Sequence, residues 1–291
     1  MSVVDRKNTV LAAFTSFNPD IELLERAVIS IKSQVTEVLI VDNGSLNKSD
    51  VMALAERNGL KCLSFAQNRG IAAAFNLAFK FAVEAGIDWV VTCDQDSIMP
   101  KDLVGRLLKD AIAFNEEYKI GIVCPNFFNR TTKTLEYCVE EPCLIDSCIS
   151  SGSLTLVKAW DDISGFDEVM FIDGVDFEFC DRLEGAGYKI LLDPSVHMEH
   201  EIGDIKLHGL PGHKFSVLNH SSFRKFYIAQ NIIYRNGKGH GGHVSPVALI
   251  RVFKQVLLVF AYEDHKLDKL AAILRGSKSG LSLAKNIREI N

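Results

Sequence analysis

Short apolar runs alternate with longer segments of helical periodicity through the first hundred residues, and this alternation restricts the chain to few folds. Residues 10–17 form an apolar run that ends at Asn18-Pro19, a turn signal. Asp20 can cap a helix reaching about residue 34, with Leu23, Leu24, Ala27 and Ile31 on one face. Residues 37–41 read as a buried strand stopped by Asp42-Asn43-Gly44-Ser45, followed by a helix over 49–58. A strand over 61–65, a helix over 70–85, a strand over 88–93 and a helix from Pro100 to about residue 118 continue the pattern. This order predicts an α/β fold with a mostly parallel central sheet and helices on both faces. Ligands of such sheets bind beyond the carboxyl ends of the strands. The polar clusters lie at those ends: Ser16 and Asn18, Asp42-Asn43, Asn68-Arg69, and Asp94-Gln95-Asp96.

The rest of the chain is less regular. Residues 149–157 hold Ser150-Ser151-Gly152-Ser153 and then a strand; 175–186 read as a helix; 203–222 are the best candidate for a mobile loop. Residues 223–235 look helical, and 247–262 are strongly apolar, broken by Arg251, Lys254 and Gln255. That stretch is short for a membrane span of about 20 residues, so it is expected to lie on a surface as an amphipathic helix. From Lys266 the chain reads as a basic pair of short helices. The expected organisation is a main α/β domain over 1–222, in two parts of about 1–100 and about 101–222, and a basic helical extension over 223–291.

Charge is divided unevenly. From Lys206 to Asn291 there are 14 Lys+Arg and 4 Asp+Glu, and the remainder has 18 and 33. The basic segment suits an anionic membrane surface or the acidic remainder of the chain. It carries no nucleic-acid recognition motif, so nucleic acid is not an expected partner. The seven cysteines are odd in number and the opening MSVVDRKNTV lacks an apolar signal region, so reduced thiols and a cytoplasmic location are expected.

Asp94 and Asp96 leave the fourth strand two residues apart, so both carboxylates can reach one hard cation. Mg²⁺ or Mn²⁺ there would bridge diphosphate oxygens and stabilise a leaving nucleotide. Spacing alone leaves a second reading, in which Asp96 or Ser97 caps the helix after Pro100. Asp42 can accept from a base N–H or a ribose hydroxyl, and Asp-Asn-Gly-Ser is equally a good turn. Asn68-Arg69-Gly70 precedes a helix start, where backbone N–H groups and Arg69 can meet an anion. Asp173, Asp176 and Glu178 are interleaved with apolar residues. Asp173 and Asp176 share a helix face if the helix begins there, one capping it and the other acting as general base. All eight histidines lie beyond residue 196, and His200 can add a nitrogen ligand to the same metal.

These residues fall within a longer set: VDNGS at 41–45, NRGIAAAFN at 68–76, CDQDS at 93–97, SSGSL at 150–154, GFDE at 165–168, FIDGVDFEFCDRLEGAGY at 171–188 and HEIGD at 200–204. In order and spacing the set resembles the bacterial family 2 glycosyltransferases, most of all the rhamnosyltransferases of surface-polysaccharide assembly. The resemblance spans about residues 9–236. It implies a GT-A type nucleotide-diphosphosugar-binding fold and inverting, metal-dependent transfer. Ser16, Asn18, Asp42, Asn68, Arg69, Asp94 and Gln95 would line the nucleotide sugar. Asp96, with Asp94 and His200, would hold the divalent cation. Asp176 would be the catalytic base, and Ser151, Gly152, Asp173, Glu178 and Arg182 would support the acceptor side. The implied donor is dTDP-β-L-rhamnose and the acceptor a lipid-linked saccharide at the inner face of the cytoplasmic membrane, in O-antigen or capsule synthesis. A UDP-hexose or UDP-galactofuranose donor is the alternative, and a homo-oligomer is left open.

Two departures stand out. Val175 precedes Asp176 where the commoner family motif has Glu, and Gln230 in FYIAQN replaces a family arginine, for which Arg224 or Lys225 are candidates to compensate. Two other classes compete. A nucleotidyltransferase would show a Gly-rich basic loop after the first strand, where this chain has FTSFNPD. A non-catalytic binding protein would have no need of intact Asp94, Asp96, Asp176 and His200.

Overall fold

The computed structural model describes residues 8–130, 133–200, 205–210 and 213–290, without the side chains of 200, 205–216 and 290. Its contacts divide the chain into two compact units: Met1–Val169 with Val175–Glu201, and Met170–Gly174 with Ile202–Asn291. The border therefore runs at 201/202, whereas the sequence pattern placed it at 222/223. Met170–Gly174 joins the second unit because Asn231 Nδ2 donates to the carbonyls of Ile172 at 2.8 Å and Asp173 at 2.7 Å.

The first unit opens with β1 (Val10–Ser16), α1 (Ile21–Lys32), β2 (Glu37–Asp42), α2 (Lys48–Arg57), β3 (Lys61–Ser64), α3 (Ile71–Ala85), β4 (Trp89–Asp94) and α4 (Leu103–Phe114). It continues through β5 (Ile120–Asn129), β6 (Thr134–Leu135), β7 (Cys143–Ile145), β8 (Leu154–Leu156), α5 (Val157–Asp162), α6 (Val175–Gly185) and β9 (Lys189–His200). Asp20 caps α1 as its sequence suggests, accepting from the N–H groups of Glu22 and Leu23. Apolar positions at helical spacing supply the burial: Leu24, Ala27, Val28 and Ile31 of α1 and Leu103, Val104, Leu107 and Ala111 of α4 pack on Ala12, Phe14, Ile40 and Val91. The other helical layer is aromatic, with Phe79 stacked on Trp160 at 5.3 Å and Phe166 on Phe179 at 4.0 Å.

The sheet order is β3-β2-β1-β4-β8-β5-β9-β7, with β6 paired to β5. The first four strands are parallel, as the alternating pattern requires. Beyond β4 the sheet is mixed: β8 runs antiparallel to both β4 and β5, while β9 is parallel to β5. Among the described residues no helix lies between β5 and β8, and a strand reached without a crossover helix is free to pair antiparallel. The chain builds outward from β1 to β3 and then returns to place β4 on the other side of β1. The crevice between β1 and β4 is thus the topological switch point.

The second unit holds β10 (Ile205–Leu210), β11 (His213–Leu218), α7 (Ser222–Gly239), α8 (Pro246–Tyr262) and α9 (Lys266–Ile290). The expected mobile loop over 203–222 is corrected here: β10 and β11 pair antiparallel from Ile205↔Leu218 to Leu210↔His213. Apolar and polar residues alternate within both segments, a period-two signal that the scattered Gly, His and Pro obscured. The expected pair of short terminal helices is corrected too, since α9 is one helix of 25 residues. Gly276 and Gly280 do not break it. A Cβ on Gly276 would lie 2.1 Å from the Phe226 carbonyl oxygen, and one on Gly280 would lie 2.6 Å from that of Gln230. The glycines let α9 lie directly against α7, around Ala229, Ile233, Val252, Val259 and Ile273.

Candidate active site at the strand ends

Ser16, Asp42 and Asp94 are the last residues of β1, β2 and β4, and the pairing register brings them level, with Ser16 beside Asp42 and Thr15 beside Asp94. Ser16 and Asp42 are fully buried, and Ser16 Oγ and Asp42 Oδ1 have no hydrogen-bond partner among the described residues. Asp42 Oδ2 accepts the Ser45 N–H at 3.2 Å. A buried polar atom without a partner costs about 1–3 kcal/mol, so a native chain retains one where a ligand or water meets it. Asp42 also marks its surroundings electrostatically: burial first, then its charge, push the Cys62 thiol up. Burial and Asp94 do the same to Cys93.

The loops beyond these ends are tied to one another. Gln95 Oε1 accepts the Phe17 N–H at 2.8 Å, bridging the β1/β4 crevice. Asn18, at φ 48°, accepts the Leu46 N–H through Oδ1 at 2.7 Å, and its own N–H donates to Ser45 Oγ at 2.8 Å. Asn43 links β2 to the start of α3, accepting from Arg69 N–H at 2.9 Å and donating to Gly70 O at 3.1 Å. Asn68 Oδ1 accepts the Gly70 N–H at 2.9 Å. Gly44 has φ 78°, and a Cβ there would lie 2.4 Å from the Gln67 carbonyl carbon. VDNGS is therefore both a turn and a close approach, and Asp42 is the member of it left with an unpaired atom.

Asp94 and Asp96 line one cavity of about 700 Å³ together with Ser97, Arg130, His197 and Glu199. The helix-capping alternative for Asp96 and Ser97 does not apply, because α4 begins at Leu103 and its N-cap position is Asp102 at φ 62°. Asp96 is solvent-exposed. Arg130 and Glu199 pair across β5 and β9, Nε to Oε2 at 2.7 Å. Ser16, Asp42, Ser151 and Asp176 are not among the cavity's lining residues.

The SSGS loop is held against β4. Thr92 Oγ1 donates to Ser150 O at 2.5 Å, the Gly152 N–H donates to Thr92 O at 2.7 Å, and Ser153 Oγ donates to Ile149 O at 2.6 Å. Ser151 is buried and its Oγ joins Ser16 Oγ and Asp42 Oδ1 in having no partner among the described residues. Gly152 has φ 71°, and a Cβ there would meet Met198 Sδ at 2.4 Å.

Residues 13–147 match the family model described as Glycosyl transferase family 2. The matched segment runs from within β1 to just past β7 and holds Ser16, Asp42, Asp94 and Asp96. Across 94% of its length it is 25% identical to the dTDP-rhamnosyl transferase RfbF of Shigella flexneri, 96% of which is covered. In fold it is similar to S. aureus TarS 1-349 in complex with UDP-GlcNAc, with a TM-score of 0.58 at 14% identity over 97% of this chain and 90% of that one. The same protein in complex with UDP gives 0.55 at 15% identity, with the same coverage.

Two of the sequence motifs meet at Asn76. Its Oδ1 accepts from Trp160 Nε1 at 3.1 Å and Phe166 N at 2.8 Å, and its Nδ2 donates to Phe166 O and Glu168 Oε1. Arg69 Nη2 reaches Glu168 at 3.3 Å. NRGIAAAFN and GFDE are thus bound together, and Arg69 stands at the α3 start with a carboxylate already beside it.

In the acidic motif the structure separates three acids. α6 begins at Val175, so Asp176 and Glu178 lie in its first turn, while Asp173 precedes it at φ 68°. The expectation that Asp173 shares a helix face with Asp176 is corrected by that start. Asp173 belongs to the second unit, where both its carboxylate oxygens are held by Arg224. Glu178, buried, takes a two-pronged contact from Arg182 at 2.7 and 2.9 Å, and Arg182 also donates to Ile163 O at 2.7 Å. The two cations expected to compensate for Gln230 are engaged elsewhere: Arg224 with Asp173, and Lys225 with Glu263 at 2.5 Å. Gln230 itself is buried and accepts from Ser279 Oγ at 2.8 Å.

Sequence reasoning missed Arg130, His197 and Glu199, which line the cavity with Asp94 and Asp96. The signal was the alternation His197-Met198-Glu199-His200, which is one strand rather than residues beyond one. Asn126↔His197 and Asn129↔His200 are register partners in β5 and β9. The His200 side chain lies outside the described residues.

Proposed function

We propose that this glycosyltransferase moves L-rhamnose from dTDP-β-L-rhamnose, with inversion, to a hydroxyl of a lipid-linked saccharide in surface-polysaccharide synthesis at the inner face of the cytoplasmic membrane. The observation that carries the site is the trio of buried oxygens on Ser16, Asp42 and Ser151 around the strand ends, each without a partner among the described residues. Hydroxyl and carboxylate acceptors suit the N–H and O–H donors of a nucleoside and a sugar. The relative named as a dTDP-rhamnosyl transferase supports the choice of donor, and the UDP and UDP-GlcNAc complexes of TarS support a nucleotide-diphosphosugar as its class.

Asp94 and Asp96 offer only oxygen donors on one open cavity, which fits a hard divalent cation. Among the described residues no group of three His, Cys, Asp or Glu forms a closed metal cage. Two carboxylates completed by donor phosphates is the usual Mg²⁺ arrangement, and His200 is the proposed third protein ligand. When bound, the cation supplies charge neutralisation to the departing diphosphate.

The chain's own residues do the rest. Asp42 and Ser16 hold the nucleoside. Gln95 keeps the β1 and β4 loops at fixed separation. Asp176 removes the proton from the acceptor hydroxyl, which attacks the anomeric carbon from the side opposite the diphosphate. Glu178 and Arg182, locked together two and six residues further on, fix the helix that presents Asp176.

The test is product formation from several nucleotide sugars with Mg²⁺ or Mn²⁺ on a lipid-linked acceptor. dTDP-rhamnose is expected to be consumed, and chelation by EDTA to stop transfer. Asp176→Asn is expected to lower turnover at least about a hundredfold while nucleotide binding survives. Consumption of a UDP-hexose in place of dTDP-rhamnose would overturn the donor assignment. Near-normal turnover of Asp176→Asn would overturn the base.

A further inference from the structure

The second unit contains a cavity of about 380 Å³ that the sugar-transfer reading does not use; its lining includes His220, Lys225, Arg251, Lys254, one acid, Glu263, and the apolar Leu258. Its charge is unbalanced. Lys225, only 2% exposed, pairs with Glu263 at 2.5 Å, and the same carboxylate is shared with buried Lys269 at 3.0 Å. One acid thus serves two buried ammonium groups. Neither Arg251 nor Lys254 has an ion pair or side-chain hydrogen bond among the described residues. A partly apolar recess with surplus positive charge suits a phosphate attached to something greasy.

The helix that supplies Arg251 and Lys254 adds an independent observation. α8 carries no acid between Pro246 and Tyr262. Its apolar residues are not all spent on packing. Ala248, Val252 and Val259 face the core, while Ile250, Phe253, Leu257 and Phe260 are 66%, 59%, 51% and 68% exposed. Lys254 lies one helical turn from both Ile250 and Leu257, so the cations border the apolar stripe directly. Among the described residues no helix is long and apolar enough to cross a membrane. A second copy of the chain fits this face poorly, because a two-fold contact would bring the same unpaired cations together.

We propose that α8 lies in an anionic membrane surface, with Ile250, Phe253, Leu257 and Phe260 entering the acyl boundary and the cavity edged by Lys225, Arg251 and Lys254 receiving a lipid phosphate. The proposal deepens the reading of a lipid-linked acceptor, since it names the element that meets the lipid, and it does not depend on which sugar is transferred. The charge of +10 between Lys206 and Asn291 acts in the same direction at longer range.

Flotation of the full chain with vesicles tests it. Phosphatidylglycerol vesicles are expected to carry the protein at low salt and phosphatidylcholine vesicles to leave it behind, with binding weakened by added salt. Arg251→Gln with Lys254→Gln is expected to weaken the association about thirtyfold, at roughly fivefold per cation removed. The pair Arg251→Lys with Lys254→Arg is expected to restore it. Phe253→Ser with Phe260→Ser is expected to abolish it. Calorimetric nucleotide-sugar binding, measured in parallel, is expected to be unchanged in every variant. Absent donor binding in the wild-type chain would count against the transferase site alone. Equal binding to both lipids would overturn the membrane proposal, as would indifference to the Gln pair. So would a dimer broken by Phe253→Ser with Phe260→Ser, or inorganic phosphate raising the melting temperature while vesicles do not bind.

Discussion

Ser16 and Asp42 are register partners at the carboxyl ends of β1 and β2, both buried, and each keeps one oxygen without a hydrogen-bond partner among the described residues. The substitutions Ser16→Ala and Asp42→Asn therefore have opposite expected effects on the ligand-free and the bound protein. Ser16→Ala removes an unpaired buried hydroxyl and is expected to leave thermal stability level or raised by up to about 1 kcal/mol. Asp42→Asn removes a charged acceptor and is expected to weaken nucleoside diphosphate binding by about one to two orders of magnitude, read by titration calorimetry. A stability loss in Ser16→Ala with unchanged affinity would assign these oxygens to internal water instead.

The Glu178–Arg182 pair predicts a different separation of effects. Glu178 is buried and Arg182 is its two-pronged partner, so Arg182→Ala removes the cation that both its oxygens accept from. The expected cost is about 3 kcal/mol in denaturant unfolding. Arg182→Lys is expected to recover only part of it, because one ammonium cannot serve both Glu178 oxygens and the Ile163 carbonyl as the planar guanidinium does. Full recovery by lysine would show that charge alone matters at this position.

Helix propensity and close packing disagree at Gly276. Alanine is favoured over glycine inside a helix by about 1 kcal/mol. A Cβ there would nevertheless sit 2.1 Å from the Phe226 carbonyl oxygen, closer than any real contact. Gly276→Ala is expected to destabilise the second unit by about 2 kcal/mol, and a rise in melting temperature would show that α7 and α9 do not approach so closely.

His220 provides a pH dependence. Burial foremost, then the charge of Arg224, hold its imidazole down to about 4, against about 6.5 for an exposed histidine; Asp173 and Glu263 oppose this and Lys225 adds to it. Between these values the unfolded chain binds a proton that the folded one does not. The stability that neutral His220 allows is complete above about pH 6.5, falls with pH below that, and is lost by about pH 4. His220→Gln is expected to flatten this part of the stability profile while leaving carboxylate titration in place. Superimposable profiles would mean that the histidine is solvated in solution.

The strand and helix order of the first hundred residues could be read directly, because periods of two and of about 3.6 residues record which face of each element is buried. Leu23, Leu24, Ala27 and Ile31 of α1 are an example: their spacing predicted one buried face, and Leu24, Ala27 and Ile31 are inaccessible, while Leu23 is 39% exposed. The polar residues at the strand ends were equally plain, since a parallel sheet must end its strands on one side. Less of the later chain could be read. The register shifts in β9 and the glycine contacts of α9 arise between residues far apart in sequence, and no local pattern reports them.

By itself, then, the sequence determined the layered α/β core, the level of Ser16, Asp42 and Asp94 at one sheet edge, and the excess of positive charge near the end of the chain. Tertiary structure decided the rest. It removed Asp96 from helix capping by starting α4 at Leu103, and it brought Arg130, His197 and Glu199 around the same cavity as Asp94 and Asp96. It also turned Gly276 and Gly280 into packing positions and left one face of α8 exposed beside Arg251 and Lys254. The reason is physical: periodicity along a chain encodes how each element is buried, but whether a carboxylate, a glycine or a lysine is satisfied depends on neighbours that only the folded chain supplies.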